Sequence, residues 1–137
     1  MKHKSKNQGA FYRLKRWWLG LSFPLYCKAH GVKNPNYQGA IVQSAQGDEL
    51  QIVHRAKHGF PYNVYVYSKP LNRVLGYLDE YLSKKLVKLF GKGFCRDAFV
   101  ETITGGGAYP YYGCNIRILE SMSFMEDCED FSALHGE

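Results

Sequence analysis

The 137-residue sequence lacks the long apolar run of about 20 residues that a membrane-spanning helix needs. Its most apolar stretch, WWLGLSFPLYC at residues 17–27, follows a basic N-terminus as a signal peptide would. Gly20 and Pro24 interrupt that stretch, and no small-residue cleavage site follows it. We therefore interpret residues 17–27 as folded structure and expect no membrane contact.

The sequence also lacks the CxxC spacing of zinc knuckles and redox motifs. It has only four cysteines, which are Cys27, Cys95, Cys114 and Cys128. Cysteines with this spacing are typical of free thiols in the cytoplasm, so we expect a cytoplasmic protein without disulfides. A weaker alternative is a zinc site built from the C-x2-H and H-x3-H pairs. Those pairs consist of Cys27, His30, His54 and His58.

Signatures of catalysis are missing as well. The Gly105–Gly107 run is not followed by the GK[ST] of a phosphate-binding loop, and no serine, cysteine or threonine lies in a nucleophile elbow. The acidic residues before position 120 fall at turns, at a helix cap or on outward strand positions. We expect no enzyme activity and no cofactor.

Each end of the chain lacks one sign of charge: the N-terminal segment has no acidic residue and the C-terminal segment has no lysine or arginine. Residues 1–16 contain six Lys/Arg and no acid, whereas residues 120–137 contain six acids and no base. The remaining body, residues 1–119, has 18 basic and six acidic side chains, a net charge of +12. A charge this positive favours a polyanionic partner, although a merely soluble basic protein would also account for it.

The first half of the chain predicts a helix followed by strands. MKHKSKNQG is polar and expected to be unstructured, and apolar residues at helical spacing then predict a short amphipathic helix from Phe11 to Leu21. Period-two alternation predicts an edge strand over residues 21–29, with Pro24 favouring the edge. YQGAIVQSA and ELQIVHRAK, at residues 37–45 and 49–57, are interpreted as a hairpin.

The second half predicts another hairpin, a helix and two final strands. YNVYVYS (62–68) pairs with RVLGYL (73–78), Asp79 caps a helix that ends at Gly91, and GFCRDAFVETIT and YGCNIRILE follow as strands. Short antiparallel strands without βαβ alternation predict a mainly β fold, a small six-stranded OB-like β-barrel with two α-helices. We expect three regions: a basic segment at 1–20, the barrel domain at 21–119 and an acidic tail at 120–137.

Aromatic strands beside basic turns are typical of single-stranded nucleic-acid sites, where bases stack on aromatic rings. Tyrosines alternate along residues 62–68, and the nearby turns contain Arg55, Lys57, Lys69 and Arg73. Tyrosine also fills half-buried strand faces for purely structural reasons, so this pattern alone leaves both interpretations open.

Several segments resemble the HIRAN domain in order and spacing. They are NYQGAIV, ELQIVHRAKHGFPYNVYVYS, VLGYLDEYLSKKLVKLFGKGF, VETITGGG and GCNIRIL, which together span roughly residues 25–119. The resemblance implies a modified OB-like barrel that binds DNA, with the 3′ end of a single strand as the ligand in the characterised case. Such domains also occur as small free-standing bacterial proteins.

Functional or structural positions of the HIRAN motifs match this sequence at four places. The resemblance implies that Tyr37 and Tyr62 stack on or enclose the terminal nucleotides. Asn63 stands where the family has an aspartate that contacts the terminal hydroxyl, and about two residues are missing after it. That departure puts end recognition in question, whereas general single-strand binding needs no carboxylate. The Gly76–Leu78 signature is implied to be structural.

The sequence-based hypothesis is thus a nucleic-acid-binding module for single-stranded DNA, with the 3′ end as its more specific form, in DNA repair, replication or a mobile element. The expected contacts are Tyr37, Arg55, Lys57, Tyr62, Asn63 and Lys69. A helicase or a replication or repair protein is the expected protein partner. The alternative is a protein-interaction module that binds no nucleic acid and docks through the aromatic helix around Trp17 and Trp18 and through the acidic tail.

Overall fold

A computed structural model describes the backbone of residues 2–122 and the side chains of residues 9–120. Over these residues the fold is mainly β, with six antiparallel strands in a curled half-barrel and three helices, one helix more than the two predicted. This architecture confirms the prediction of a small OB-like β-barrel. The elements are α1 (Lys2–Trp18), β1 (Leu25–Lys28), α2 (Pro35–Val42), β2 (Glu49–His54), β3 (Val64–Ser68), β4 (Arg73–Tyr77), α3 (Glu80–Phe90), β5 (Cys95–Gly105) and β6 (Tyr112–Met122).

The six strands form one sheet in the order β1-β6-β5-β2-β3-β4. The sheet curls so far that its two outer ends meet just beyond β1, where His30 pairs with Tyr77 of β4 in an isolated bridge. The His30 N–H donates to the Tyr77 carbonyl at 2.7 Å, and the Tyr77 N–H donates to the His30 carbonyl at 3.1 Å. The bridge therefore satisfies main-chain groups that an open sheet edge would leave unpaired.

Gly76 makes that closure sterically feasible. A Cβ atom at this position would lie 2.5 Å from the His30 carbonyl oxygen and 3.4 Å from the Ala29 Cβ. Gly76 does not belong to the glycines with positive φ, so its requirement is close approach and not an unusual backbone angle. The structural role that the resemblance implies for Gly76 is therefore close approach at the β1–β4 seam, the place where His30 and Tyr77 join the two ends of the sheet.

The concave face of the sheet holds the main core, and α3 covers part of it. Leu50 and Ile52 of β2, Ile116 and Ile118 of β6, and Leu86 of α3 are essentially inaccessible to solvent. Period-two alternation places Val64 and Val66 in this core, whereas Tyr65 and Tyr67 pack in a second cluster with Val53 and Cys95. The predicted division of residues 62–68 into two faces is confirmed.

Local capping fixes the start and end of α3, as predicted. The Asp79 carboxylate accepts a hydrogen bond from the Leu82 N–H at 3.1 Å, and Gly91 follows the last helical residue with a φ of 97°. Hairpin β3–β4 and the final pair β5–β6 are likewise confirmed. No helix among the described residues is long and apolar enough to cross a membrane.

The predicted strand at residues 37–45 is wrong, because Pro35–Val42 forms helix α2. The Asn34 side chain caps this helix by accepting from the Asn36 N–H at 2.9 Å, and Pro35 occupies its first turn, where a missing N–H costs nothing. Tertiary packing of Ala40 and Ile41 in the core outweighs the β preference of Ile41 and Val42. The predicted hairpin between residues 37–45 and 49–57 therefore does not exist.

The N-terminal predictions need smaller corrections. α1 begins at Lys2, so MKHKSKNQG is helical from its second residue where we expected no structure. The first strand is confined to Leu25–Lys28, and its place at the outside of the sheet order confirms the predicted edge position. The acidic tail lies outside the described residues from position 123 onward.

The cysteines differ from one another. Cys27 and Cys114 are free, and burial raises the pKa of both thiols to about 12. Cys95 is disulfide-bonded. The expectation of free thiols throughout is therefore wrong for Cys95, and the cysteines no longer argue for the cytoplasm.

Candidate nucleic-acid interface

A cavity of about 310 Å³ opens where β3 begins and β4 ends. Four parts of the chain contribute to its wall: helix α2, the loop between β2 and β3, the end of β4, and the first turn of α3. The lining residues are Tyr37, Lys57, Phe60, Tyr62, Asn63, Tyr77, Leu78, Glu80 and Ser83. We call this space the tyrosine cavity, because three of its lining side chains are tyrosines.

Tyr37 reaches the tyrosine cavity from α2, which is fixed to the sheet from both sides. On one side the Arg73 guanidinium of β4 donates to the Asn36 carbonyl at 2.8 Å. On the other side the Gln38 side chain exchanges hydrogen bonds with the main chain of Tyr112, at 2.7 and 3.0 Å. Burial raises the pKa of the Tyr37 phenol, and the neighbouring Tyr65 and Tyr77 hydroxyls raise it further.

Tyr62 and Asn63 enter the cavity from the loop that joins β2 to β3. The Asn63 carbonyl accepts from the Arg55 N–H at 3.0 Å, and the Asn63 Nδ2 donates to the Arg55 carbonyl at 3.1 Å. Since Nδ2 is engaged with the main chain, the Oδ1 atom is the part of this amide that can accept from a ligand. Arg55 thus contributes through its backbone by holding Asn63 in place.

The His54 side chain holds the β2–β3 loop in place. Its Nδ1 accepts from the Gly93 N–H at 2.8 Å, so Nε2 carries the proton and donates to the Pro61 carbonyl at 2.9 Å. The imidazole is buried and stacks on Phe94 at a centroid distance of 6.1 Å. One side chain therefore ties the residue before Tyr62 to the turn between α3 and β5.

Replacement of His54 by Phe is expected to loosen this loop. The ring keeps its stacking partner, but the two part-buried hydrogen bonds to the Gly93 N–H and the Pro61 carbonyl are lost, each worth about 0.5–1.5 kcal/mol of stability. Urea denaturation should show the loss of stability. His58→Phe, at an exposed position of the same loop, is the matched control and should unfold as the wild type does; equal stability of both variants would contradict the anchoring role.

Cations flank the tyrosine cavity, and one carboxylate lies inside it. Lys84 Nζ is 5.5 Å from the centroid of the Tyr62 ring, and Lys57 Nζ is 5.8 Å from that of Tyr65. Glu80 lines the wall from the first turn of α3. A phosphate would be repelled beside Glu80, whereas a hydroxyl or an amino group could donate to it.

The structure thus brings together four of the six predicted contact residues: Tyr37, Lys57, Tyr62 and Asn63. Arg55 is adjacent but does not belong to the lining. Lys69 lies at the opposite end of β3, where its Nζ is 3.5 Å from a Glu49 carboxylate oxygen. Because β3 separates Lys69 from the cavity, we no longer include it in the site.

Sequence analysis missed several residues of the cavity, most notably Tyr77. We had assigned Tyr77 to a structural motif, yet it is 40% exposed and lines the wall. Tyr77 pairs with Tyr65 across β3 and β4, and this register is not given by any local sequence pattern. Phe60 lies two residues before Tyr62 and was not singled out. Glu80 in the lining and Lys84 over the Tyr62 ring were missed because only folding brings α3 near the β2–β3 loop.

The alternative zinc set is not assembled. Among the described residues, no three His, Cys, Asp or Glu side chains are placed to hold a metal ion. Cys27 lies near Cys114 in the sheet, His54 uses both ring nitrogens in the loop anchor, and His58 is exposed in the loop.

Comparisons of the chain with protein-family models, with curated proteins and with solved structures found no match. The resemblance to HIRAN domains accordingly remains a prediction. One of its structural implications also differs here, since the tyrosine-glycine motif expected on a strand lies on α2.

Proposed function

We propose that the protein is a nucleic-acid-binding module and that the tyrosine cavity receives the end of a single DNA strand. The observation that carries this proposal is the convergence of Tyr37 and Tyr62, from separate elements, on one cavity. Base stacking on aromatic rings is the usual way in which proteins hold single strands, and flanking lysines neutralise the backbone. The proposal involves no catalysis.

The chemistry of the cavity supports a strand end in particular. A volume of about 310 Å³ lies at the lower end of the range for small-ligand pockets, so it suits one terminal nucleoside better than a continuous strand. Glu80 and the Asn63 Oδ1 provide acceptors at the wall, which favours a terminal hydroxyl over a terminal phosphate. In the family that this chain resembles, an aspartate at the position of Asn63 would contact the 3′ hydroxyl; we propose that Glu80 supplies the carboxylate in this protein.

Fluorescence anisotropy with labelled single-stranded oligonucleotides tests the proposal. At low salt we expect dissociation constants below about 100 µM. The logarithm of the binding constant should fall by about 0.7 per phosphate contacted for each tenfold increase in salt concentration. A 3′-hydroxyl oligonucleotide should bind more tightly than its 3′-phosphate counterpart, and Glu80→Gln should reduce that preference. Binding weaker than about 100 µM for all oligonucleotides would reject the proposed function.

Within this proposal the protein acts in the cytoplasm, in DNA repair, in replication or on a mobile element. A helicase or another repair protein would be the natural companion of a module that holds a strand end. An RNA strand offers the same stacking surfaces, so DNA and RNA oligonucleotides of equal sequence belong in the same titration.

A second candidate function, protein docking, is favoured by the apolar face of α1. Phe11, Leu14, Trp17 and Trp18 are each more than 60% exposed. Several of them line a cavity of about 800 Å³ between α1 and α3. Exposed tryptophans on a helix are typical centres of protein interfaces.

Pull-down from cell extract with and without nuclease separates the two candidates. If α1 docks a protein, a nuclease-resistant partner should be captured by the wild type and by Tyr62→Ala but lost with a Trp17→Ser/Trp18→Ser double variant. Retention of that partner by the double variant would contradict docking through α1.

A further inference from the structure

We infer that the binding site does not end at the tyrosine cavity but continues across the β1–β4 seam into a second subsite for the phosphates of the same strand. This inference rests on the proposed function. The second subsite is a cavity of about 370 Å³ on the far side of the seam. Its lining consists of Lys28, Ala29, His30, Gly31, Val32, Lys33, Thr104, Gly113, Cys114 and Asn115.

The two cavities share the Tyr77 side chain as a boundary. Tyr77 lines the tyrosine cavity, and its ring lies so close to Gly31 that a Cβ there would be 2.3 Å from the Tyr77 Cε2. Gly31 in turn lines the second cavity and has a φ of 75°, in the region that favours glycine. A strand that leaves the tyrosine cavity over the Tyr77 ring therefore arrives at the second cavity without crossing another element.

The lining of the second cavity matches a sugar-phosphate backbone. It offers the exposed ammonium groups of Lys28 and Lys33 and the amide of Asn115, and it contains no carboxylate. The tyrosine cavity has the opposite character, since Glu80 lies in its wall. A single DNA strand can match both cavities. Its terminal hydroxyl would lie beside Glu80, and the phosphates that follow would lie beside Lys28 and Lys33.

Aromatic side chains continue along the same path. The Lys33 Nζ lies 5.4 Å from the centroid of the Tyr111 ring, and Tyr109, Tyr111 and Tyr112 are all exposed near the tip of the β5–β6 hairpin. Gln38 joins this hairpin to α2, and thus to Tyr37, through its hydrogen bonds with Tyr112. The alternation of lysines with exposed rings is the arrangement that sequence-tolerant single-strand sites use.

The second subsite is tested by combining charge-reversal variants of the protein with oligonucleotides of two lengths. The variant is Lys28→Glu/Lys33→Glu, and the control is Lys88→Glu/Lys92→Glu, which makes the same charge change at exposed positions that line neither cavity. Binding of a trinucleotide and of a 12-mer should be measured by anisotropy or calorimetry at several salt concentrations.

For the 12-mer, we expect the Lys28/Lys33 variant to bind about tenfold more weakly than the control and to lose about 1.4 from the salt slope, as two phosphate contacts predict. The trinucleotide should bind both variants equally. If both variants bind the 12-mer with equal affinity and slope, the second subsite is wrong while the proposed function stands. If the wild type binds neither oligonucleotide, both are wrong.

Discussion

Replacement of Tyr62 by Ala is expected to weaken the binding of single-stranded DNA by roughly 5- to 150-fold, which corresponds to the about 1–3 kcal/mol that one stacked base contributes. Tyr62 lies in the tyrosine cavity with Lys84 over its ring. Loss of the ring removes the stacking surface and the cation–π contact together. Anisotropy titration of the variant and the wild type with the same oligonucleotide measures the effect.

The matched control for this prediction is Tyr81→Ala. Tyr81 is also a tyrosine with a lysine over its ring, the Lys85 Nζ at 4.5 Å, but it does not line the cavity. Tyr81→Ala should bind as the wild type does, and Tyr62→Phe should retain most of the affinity because stacking needs the ring and not the hydroxyl. Equal weakening by Tyr62→Ala and Tyr81→Ala would locate binding elsewhere, on general surface charge.

Replacement of Gly76 by Ala is expected to cost about 3 kcal/mol of unfolding free energy, the upper end of the range for overpacking. The added methyl group would lie 2.5 Å from the His30 carbonyl oxygen, which is main chain and cannot rotate away. The His30–Tyr77 bridge must then open, with both of its hydrogen bonds. For a chain of this size the melting temperature should fall by roughly 10 °C.

Gly9→Ala is the control for this second prediction, since nothing lies within 4 Å of the position that its Cβ would occupy. The same chemical change in the interior of α1 should stabilise the helix by up to about 1 kcal/mol. Opposite signs for the two glycines, measured by thermal and urea unfolding, would confirm that close approach at the seam is the reason for Gly76. A Gly76→Ala protein as stable as the wild type would show that the seam is not needed.

The β1–β4 seam also connects the stability of the fold to the tyrosine cavity. Tyr77 follows Gly76 directly, and its ring separates the tyrosine cavity from the second cavity. Gly76→Ala should therefore weaken DNA binding even under conditions in which the variant remains folded. His54→Phe is expected to have the same dual effect, because it frees the loop that presents Tyr62.

Alternation and capping allowed much of the fold to be predicted. The strand at residues 64–68 alternates two apolar faces, and Asp79 and Gly91 bracket α3, so local chemistry alone decides these elements. Helix α2 was not predictable in the same way. Tyr37, Ala40 and Ile41 have helical spacing, but Ile41 and Val42 favour strands, and the capping role of Asn34 and Pro35 is evident only once the helix is known.

The candidate site was predictable only in part, because only some of its residues lie in local sequence motifs. Tyr37, Lys57, Tyr62 and Asn63 carry local motifs that resemble a known domain, and the fold brings them into one cavity. Glu80 and Lys84 have no such local motif, and the motif that contains Tyr77 was interpreted as structural. Their participation depends on how α3 and β4 meet the β2–β3 loop, which only the closed sheet determines.

The most direct test of the central claim is photocrosslinking with an oligonucleotide that carries 4-thiothymidine as its 3′-terminal residue, followed by identification of the modified peptides. The account predicts adducts on peptides that contain Tyr37, Tyr62 or Tyr77, and it predicts that the same label at the 5′ terminus of a 12-mer gives adducts outside the tyrosine cavity. Adducts of the 3′ label confined to α1, or an equal distribution of adducts from both labels, would contradict it.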